Sequence, residues 1–343
     1  MKNHVNAIHK NSIIVDAHFD ILMDVTMQRE RGRSKVIEVD HLPSFLEGGV
    51  DIIVASIFVD GSFLPEMGLR KALNQVSALY QEVSESPDKI MICKSYADVL
   101  EAKSRGKVGF ILSFEGVEPL YNDLSLLRVF YELGVRIVGL TWSRRNYAAD
   151  GSHFAKVHEG KKGGLSEFGV KLIEAAEDMG MFIDVSHIND EGFWDVMEIA
   201  QRPIIASHSN CRSVVDSMRN LSDEQIKAIA SKNGVIGMNA SNMFTSYKDE
   251  DGDVKHLLDH VDHIKNLVGV KHVGLGFDFC DDFMKYLSPE NLAMIPRKTF
   301  DVLKGHKNIP QFTEGLIKRG YSDMEIELIL GKNFLRVYEE VLK

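Results

Sequence analysis

The length, composition and charge of the chain exclude several classes of protein. Its 343 residues suffice for one α/β barrel with insertions, and 44% hydrophobic with 26% charged residues is typical of a globular protein with a large core. A net charge of −10 argues against general attraction to nucleic acid, and no apolar run approaches the roughly 18 residues of a membrane span. The three cysteines are widely spaced, and the polar first residues lack the core of a signal peptide. We therefore expect a cytoplasmic protein that binds neither nucleic acid nor membranes.

Eight short apolar runs, rich in β-branched residues, predict buried strands. They are continuous rather than alternating, which is typical of parallel strands that are covered on both faces. In chain order the runs are Ser12–Asp20, Val50–Asp60, Val108–Gly116, Arg136–Trp142, Met181–Ile188, Pro203–Ser209, Gly234–Asn239 and His272–Phe279.

Helical patterns separate most of these runs. Apolar residues at helical spacing predict a helix over Leu69–Ser84. Ser222 and Gln225 form the pattern of a capping box at the start of a predicted helix over Ser222–Ala230. Further predictions are helices over Leu124–Leu133, Glu167–Gly180 and Leu257–Leu267, an irregular stretch over Cys280–Pro310, and two or three helices over Gln311–Lys343.

The alternation of eight strands with helices predicts an α/β fold, a (β/α)8 TIM-like barrel with extra C-terminal helices. A doubly wound sheet is the alternative, but it normally has fewer strands and a glycine-rich phosphate turn after the first. Here the first strand ends in His18-Phe19-Asp20, and no GxGxxG motif follows. Because no repeat or linker divides the chain, we expect a single domain over residues 1–343.

Polar residues at the strand ends are the candidate site residues, because the chemistry of such barrels lies where strands end and the following loops begin. His18 and Asp20 are two residues apart on the first strand and therefore point to the same side. The full set is His18 and Asp20 on the first strand, Glu115 on the third, His187 on the fifth, His208 on the sixth and Asp278 on the eighth.

Three imidazoles and three carboxylates at one mouth predict a site for divalent metal ions. Without a cation, two carboxylates ~4 Å apart would repel by about 4 kcal/mol at an effective dielectric of ~20. One ion needs about four ligands, so this set is compatible with two ions that share a carboxylate and hold a bridging hydroxide. A single strand-end histidine is usually structural, and the coincidence over several strands is what favours a metal site.

Other histidines and large apolar residues carry no such pattern. Trp142 and Met238 are expected to pack in the interior. Solvated side chains are expected for His4, His9, His41, His256, His260, His263 and His306, which lie in helical or loop contexts.

Taken together, the motifs of the chain resemble those of the zinc-dependent membrane dipeptidases and their soluble bacterial relatives. Residues 14–20 resemble the opening strand of that family, and residues 114–116, Phe-Glu-Gly, resemble its bridging-glutamate motif. Residues 184–187 and 206–209 are similar to its two histidine motifs, and residues 331–336 to its closing helix. The resemblance covers nearly the whole chain.

The resemblance implies a pair of zinc ions. His18 and Asp20 are expected to hold one ion and His187 and His208 the other, with Glu115 bridging both. A bridging hydroxide is then expected to attack the peptide carbonyl of a dipeptide.

The resemblance also implies how the substrate is bound. Arg219 is expected to bind the C-terminal carboxylate of the dipeptide, a task that suits a guanidinium. Asp278 is expected to contact the free amine and to relay a proton to the leaving nitrogen, so that Asp278 and Glu115 are the catalytic residues. A D-residue at the C-terminal position is expected to be tolerated.

The fourth strand departs from the family pattern. The family commonly has Leu-Thr-His there, with the histidine contacting the substrate, whereas this chain has Trp142 at that position. An indole N–H donates one hydrogen bond but carries no charge. His153 or Arg144 on the same loop is a candidate for the missing donor. We place Trp142, Asn146 and His153 among the candidate substrate-binding residues.

Two other functions stay open at this point. One is a different amide, lactone or phosphoester hydrolase on a similar barrel, although such enzymes usually carry His-x-His where this chain has His18 and Asp20. The other is a non-catalytic binding protein, which only Trp142 favours. Residues 280–310 are expected either to cover the substrate or to contact the second subunit of a homodimer.

Overall fold

The centre of the molecule is a closed barrel of parallel strands. The computed structural model describes residues 1–155, 157 and 160–342. The strands are β1 (Ile14–Phe19), β2 (Val50–Ile57), β3 (Ile90–Ile92), β4 (Val108–Glu115), β5 (Val135–Gly139), β6 (Phe182–Asp184), β7 (Ile205–Ala206), β8 (Val235–Met238) and β9 (Val273–Leu275). All except β3 form the ring, which is closed by pairing of β1 with β9 and of β2 with β4. The predicted (β/α)8 barrel and its eight strands are therefore confirmed.

One strand was not predicted. The strand β3 pairs with the first residues of β4, ahead of the part of β4 that pairs with β5, and Ile90 lies opposite Val108. It has three residues, which is too short for a recognisable pattern of alternation.

Helices surround the barrel. They are α1 (Lys2–Asn11), α2 (Ile21–Glu30), α3 (Leu42–Gly48), α4 (Gly68–Glu85), α5 (Tyr96–Ser104), α6 (Ser125–Leu133), α7 (Glu167–Asp178), α8 (Asp190–Ile199), α9 (Asp223–Ser231), α10 (Asn242–Thr245), α11 (Val254–Val268), α12 (Pro289–Ala293), α13 (Ile309–Lys318), α14 (Asp323–Glu327) and α15 (Asn333–Val341). The predicted helices correspond to α4, α6, α7, α9, α11 and the last three. Ser222 and Gln225 form the predicted capping box of α9, with Ser222 N–H donating to Gln225 Oε1 at 2.8 Å.

The amino-terminal end of the barrel is filled with buried apolar side chains and is closed by α15. Phe334 and Tyr338 of this helix are buried against inward-facing apolar residues of the strands. Asn333 Nδ2 donates to the carbonyl oxygens that precede and begin β9, and Arg336 donates to the carbonyl of Asn233 before β8. The closing-helix motif of residues 331–336 thus seals the end opposite the site.

Residues 280–310 fold back over the carboxyl-end mouth of the barrel and are called the cover segment below. Tyr286 Oη donates to Asp24 Oδ1 on α2 at 2.6 Å. The backbone N–H of Ser288 and the Nδ2 of Asn291 both donate to Asp60 Oδ2, at 3.0 and 2.7 Å. Of the two roles expected for residues 280–310, this placement favours covering the substrate over contacting a second subunit.

Among the described residues, none of the helices combines the length and the apolar character that a membrane crossing requires.

Candidate active site

His18 lies at the centre of one half of the mouth. Its Nε2 is 3.7 Å from Asp20 Oδ1, 3.7 Å from Glu115 Oε2 and 3.8 Å from Asp278 Oδ1. These residues reach one another because β1, β4 and β9 all end at the same rim, with Asp20 at the start of α2. The hydroxyl of Ser56, at the end of β2, donates to the Asp20 carboxylate.

The other half of the mouth is formed by two histidines that face the same glutamate. His187 Nε2 lies 3.1 Å from Glu115 Oε1, and His208 Nε2 lies 3.9 Å from the same oxygen. The imidazole of His208 lies between those of His18 and His187, with ring centroids 3.8 and 4.8 Å away. Glu115 therefore faces both groups of candidate ligands, as a residue shared by two ions must.

The backbone is bent to place two of these side chains. His187 and Asp278 have φ angles of 69° and 53°, a left-handed conformation that is uncommon for residues other than glycine. The turn after Glu115 instead contains a glycine. Gly116 has a φ angle of 92°, and a Cβ at this position would lie 2.2 Å from Glu118 Oε2. Local strain of this kind is typical of functional sites.

The residues present fit a divalent metal site. The Nε2 atoms of His18, His187 and His208 and the Oε2 of Glu115 are buried, and none has a hydrogen-bond partner within the described part of the chain. Each such atom costs about 1–3 kcal/mol if it stays unpaired. Four unpaired lone pairs that converge on one space are the donor set that a cation would satisfy.

Electrostatics in the absence of a cation lead to the same conclusion. Burial lowers the pKa of His18, although nearby Asp20 opposes the shift, and burial lowers the pKa of His187 and His208 much further. The imidazoles are thus neutral, the form that binds metals. Burial and the charge of Asp20 raise the pKa of Glu115 and Asp278 well above their usual ranges. A cation would relieve that repulsion between carboxylates.

Hydroxyl groups orient two of the imidazoles. Ser143 Oγ lies 2.9 Å from His187 Nδ1, and Ser207 Oγ lies 2.7 Å from His208 Nδ1. The Ser207 hydroxyl in turn donates to the Asp184 carboxylate, so its oxygen accepts from Nδ1–H of His208. Protonation at Nδ1 leaves the Nε2 lone pair free for a metal ion.

Arg219 is a buried cation beside this centre, with only 3% of its surface exposed. Its Nη2 donates to the carbonyl oxygen of His208 at 3.3 Å, and its guanidinium lies 5.4 Å from the ring centroid of Phe244. Its Nε has no partner, and among the described residues no carboxylate oxygen lies within 4.0 Å of its nitrogens. Burial lowers the pKa of Arg219 to about 10, so it stays charged at neutral pH.

A cavity opens above the five candidate metal ligands His18, Asp20, Glu115, His187 and His208, which are called the ligand set below. Its polar lining residues are Asp20, Glu115, His187, Ser241, Asp278, Cys280 and Thr299. Its apolar lining residues are Met23, Phe58, Trp142, Phe154, Met243, Phe244, Phe283, Met284, Leu287 and Ile295. An apolar lining with a small number of polar groups is typical of a site for a small molecule.

The three residues predicted on the loop after β5 lie in different places. Trp142 is buried in the cavity wall, with its ring 6.1 Å from that of His187. Asn146 uses its amide within the loop: Nδ2 donates to the Leu140 carbonyl at 2.8 Å, and Oδ1 accepts from Ala148 N–H at 2.8 Å. His153 precedes the lining residue Phe154 and lies near the carboxylate of Asp150.

Arg144, the other candidate for a donor on this loop, supports Trp142 from behind. Its guanidinium lies 5.0 Å from the Trp142 ring centroid. Its Nε donates to Glu118 Oε1 and its Nη2 to the Val59 carbonyl, each at 2.7 Å. It lines a separate pocket that it shares with Glu118 and Asn146 rather than the cavity above the ligand set.

Several residues of the site were not predicted from the sequence. Asn239 Nδ2 donates to Asp278 Oδ2 at 2.8 Å, and its position at the end of the seventh predicted strand was the signal that could have identified it. The apolar lining residues gave no comparable signal, because phenylalanine and methionine on loops are not distinguishable from core residues by sequence.

The expectation of solvated side chains is wrong for four histidines. His9 is hydrogen-bonded to Thr313, His41 to Asp24 and His306 to Asp16, and His260 accepts a hydrogen bond from the backbone N–H of Cys211. All four contacts are buried. Each partner lies far away in the sequence, so local patterns could not reveal it. His4, His256 and His263 are partly exposed.

A (β/α)8 barrel with this ligand set at its carboxyl-end mouth defines a metal-dependent hydrolase. The sequence model of the membrane dipeptidase family, peptidase family M19, matches residues 2–343. The chain therefore belongs to the membrane dipeptidase family, whose members use divalent metal ions.

Individual relatives agree with this assignment. The chain is 30% identical over 271 residues to an uncharacterized protein of the pqqA 5′ region in Klebsiella pneumoniae, covering 78% of this chain and 94% of that one. It is 26% identical over 337 residues to a dipeptidase of Claviceps purpurea, covering 96% and 74% of the two chains. A metallopeptidase of Rhodobacter sphaeroides, solved with a phosphinate mimic of the dipeptide L-Ala-D-Ala, superposes with a TM-score of 0.82 at 25% identity over 96% of this chain and 100% of that one.

Proposed function

We propose that this protein is a dipeptidase that uses two divalent metal ions, preferably zinc. His18 and Asp20 hold one ion, His187 and His208 the other, and Glu115 lies between them. The observation that carries this proposal is the convergence of four buried ligand atoms that have no hydrogen-bond partner in the described part of the chain. When bound, the ions supply an activated water and polarise the carbonyl group under attack.

The charged groups beside the ligand set support a substrate with both ends free. Burial of a guanidinium is costly, and among the described residues no carboxylate forms an ion pair with Arg219 and its Nε has no hydrogen-bond partner. A substrate carboxylate is the partner that would satisfy it. Asp278, held by Asn239, offers a carboxylate that binds the substrate ammonium and passes a proton to the leaving nitrogen. Substrates are therefore limited to dipeptides.

A D-residue at the C-terminal position is part of the proposal. Its support is the similarity to the Rhodobacter sphaeroides metallopeptidase, which was solved with a mimic of L-Ala-D-Ala. Trp142 forms a wall of the cavity, Asn146 shapes the loop that carries it, and His153 is the candidate donor to the scissile carbonyl. If His153→Ala leaves kcat and KM unchanged on the best substrate, His153 has no such role.

A homodimer, a cytoplasmic location and a single catalytic domain over residues 1–343 stay predictions from the sequence. The three cysteines are free thiols in the structure, which is compatible with a reducing compartment.

The test is a substrate panel run with protein of defined zinc content. L-Ala-L-Ala and L-Ala-D-Ala are compared with their N-acetyl derivatives, their C-terminal amides and the tripeptide Ala-Ala-Ala. We expect both dipeptides to be cleaved and every blocked or extended peptide to be at least about 100-fold slower, because a buried charge is then left unpaired. Cleavage of the amide as fast as the free dipeptide would contradict the role of Arg219, and no cleavage of any dipeptide would contradict the function.

A further inference from the structure

Four aromatic side chains form a continuous surface on one side of the cavity. The rings of Phe58 and Trp142 are 5.1 Å apart, those of Trp142 and Phe154 5.3 Å, and those of Phe154 and Phe244 6.2 Å. All four line the cavity. These residues, Phe58, Trp142, Phe154 and Phe244, are called the aromatic wall below.

The aromatic wall runs from the ligand set to the buried cation. Trp142 lies 6.1 Å from the ring of His187, where the scissile carbonyl must sit for hydrolysis. Phe244 lies 5.4 Å from the guanidinium of Arg219, the proposed partner of the C-terminal carboxylate. The part of a dipeptide between its scissile carbonyl and its carboxylate is the C-terminal residue. With both ends bound in this way, the side chain of that residue lies within reach of the aromatic wall.

The wall is held in place from behind. Arg144 stacks near the Trp142 ring and is itself fixed by Glu118 and by the carbonyl of Val59, at 2.7 Å each. Trp142 is only 6% exposed. A buried indole with a fixed cation behind it cannot withdraw to make room for a different side chain, so the wall is a preformed apolar surface.

Among the described residues that line the cavity, none is left to pair with a charged C-terminal side chain. Its ionisable lining residues among the described positions are Asp20, Glu115, His187, Asp278 and Cys280. The first four belong to the ligand set or bind the substrate amine. Burial and neighbouring carboxylates raise the pKa of the Cys280 thiol, so it stays neutral. A charged C-terminal side chain would thus be desolvated against aromatic rings without compensation.

We propose that the aromatic wall selects dipeptides with a large apolar C-terminal residue, and that Trp142 is the residue that determines this specificity. The proposal rests on the proposed dipeptidase function and names its substrate class. Glycine leaves the wall uncovered, and aspartate or lysine places a charge against it. Phenylalanine and leucine bury their side chains there.

The first experiment compares kcat/KM of the zinc-loaded enzyme on L-Ala-Xaa dipeptides, with Phe, Leu, Gly, Asp or Lys as Xaa in both configurations. We expect Phe and Leu to exceed Gly, Asp and Lys by about 100-fold, in line with the discrimination that an apolar pocket provides. Trp142→Ala and the milder Trp142→Leu are expected to reduce the Phe-to-Gly ratio by about tenfold. Trp194→Ala, at the other tryptophan of the chain, is the matched control, because Trp194 is exposed on α8.

A binding measurement keeps the proposal testable if the Trp142 variants fold poorly. Trp194→Phe leaves Trp142 as the only tryptophan, since the chain has two. We expect a phosphinate mimic of Ala-Phe to shift its fluorescence and to bind at least about tenfold more tightly than the mimic of Ala-Gly.

The outcomes separate the two proposals. Equal kcat/KM across the panel, a preference for Gly, Asp or Lys, or a ratio unchanged in both Trp142 variants would overturn the role of the aromatic wall and leave the dipeptidase function standing. Failure to cleave any dipeptide would overturn both.

Discussion

The ligand set and the aromatic wall border the same cavity, but they are built in different ways. The proposed metal ligands stand at or just after the ends of β1, β4, β6 and β7, so the barrel itself fixes where they lie. The aromatic wall comes from the segments that follow β2, β5 and β8, and the cover segment lines another part of the same cavity. In the proposed enzyme the barrel therefore places the groups for the chemistry, whereas the loops place the groups that select the substrate.

The largest effect is expected at the centre of the ligand set. Glu115→Gln removes the carboxylate that faces both groups of ligands, so we expect weaker ion binding and a loss of kcat of roughly 10³-fold. The measurement is kcat together with the zinc content of the dialysed protein. Glu132→Gln is the control, because Glu132 is exposed and its carboxylate pairs with Arg128 on α6. Full activity in Glu115→Gln would show that the barrel ends do not carry the chemistry.

A smaller effect is expected where the ligand set meets the aromatic wall. Arg219→Met should lower kcat/KM for free dipeptides by about 100-fold, because the substrate carboxylate loses its partner. It should also stabilise the substrate-free protein, since an unpaired buried charge is removed. Kinetics on a dipeptide and chemical unfolding test both claims. Arg212→Met is the control, because it removes a surface ion pair with Asp190 outside the cavity. A variant with lower stability and unchanged kcat/KM would refute this account of Arg219.

The orientation of the ligands is predicted to matter less than the ligands themselves. Ser207→Ala removes the hydroxyl that links His208 to Asp184, and we expect a 10- to 100-fold loss of zinc affinity. Competition with a chelator of known affinity measures this, while kcat at saturating zinc should stay within a fewfold of wild type. Ser213→Ala, on an exposed hydroxyl near Asp223, should leave the affinity unchanged. An unchanged affinity in Ser207→Ala would mean that the ligand positions need no such support.

The smallest effect is expected at the anchor of the cover segment. Burial by itself would raise the pKa of Asp24, but hydrogen bonds from His41, Tyr286 and Gln28 outweigh it and lower the pKa to about 2. Asp24→Asn weakens these bonds, so we expect a KM roughly threefold higher with little change in kcat.

The same substitution has a pH dependence of known sign. Because the pKa of Asp24 is lower in the folded chain than the ordinary 3.8, its stabilisation is complete above that pH and is lost as the pH falls towards 2. The stability difference between wild type and Asp24→Asn, followed by chemical unfolding, should therefore shrink below pH 3.8. A difference that stays constant there would contradict the low pKa of Asp24.

The sequence was sufficient to predict the barrel and the position of the ligand set. Continuous apolar runs identify buried parallel strands, and polar residues at their ends must meet at one rim, as His18, Glu115 and His208 do. Local patterns also predicted the capping box at Ser222. In each of these cases the information lies within a few neighbouring residues.

What the sequence did not predict depends on contacts between distant segments. His306 is buried because it pairs with Asp16, and His41 because it pairs with Asp24, and neither pairing leaves a local pattern. The same holds for the aromatic wall: Trp142 gains its role from Phe58 and Phe154, which reach it only in the folded chain.

The central claim is that the ligand set at the barrel mouth binds the ions that make this chain a dipeptidase. The most direct measurement adds zinc stepwise to chelator-treated protein while following hydrolysis of L-Ala-D-Ala and L-Ala-L-Ala and counting bound ions. We expect no hydrolysis without metal and full activity at about two ions per chain. Hydrolysis that persists in the chelated protein, or tight zinc binding without cleavage of any dipeptide, would contradict it.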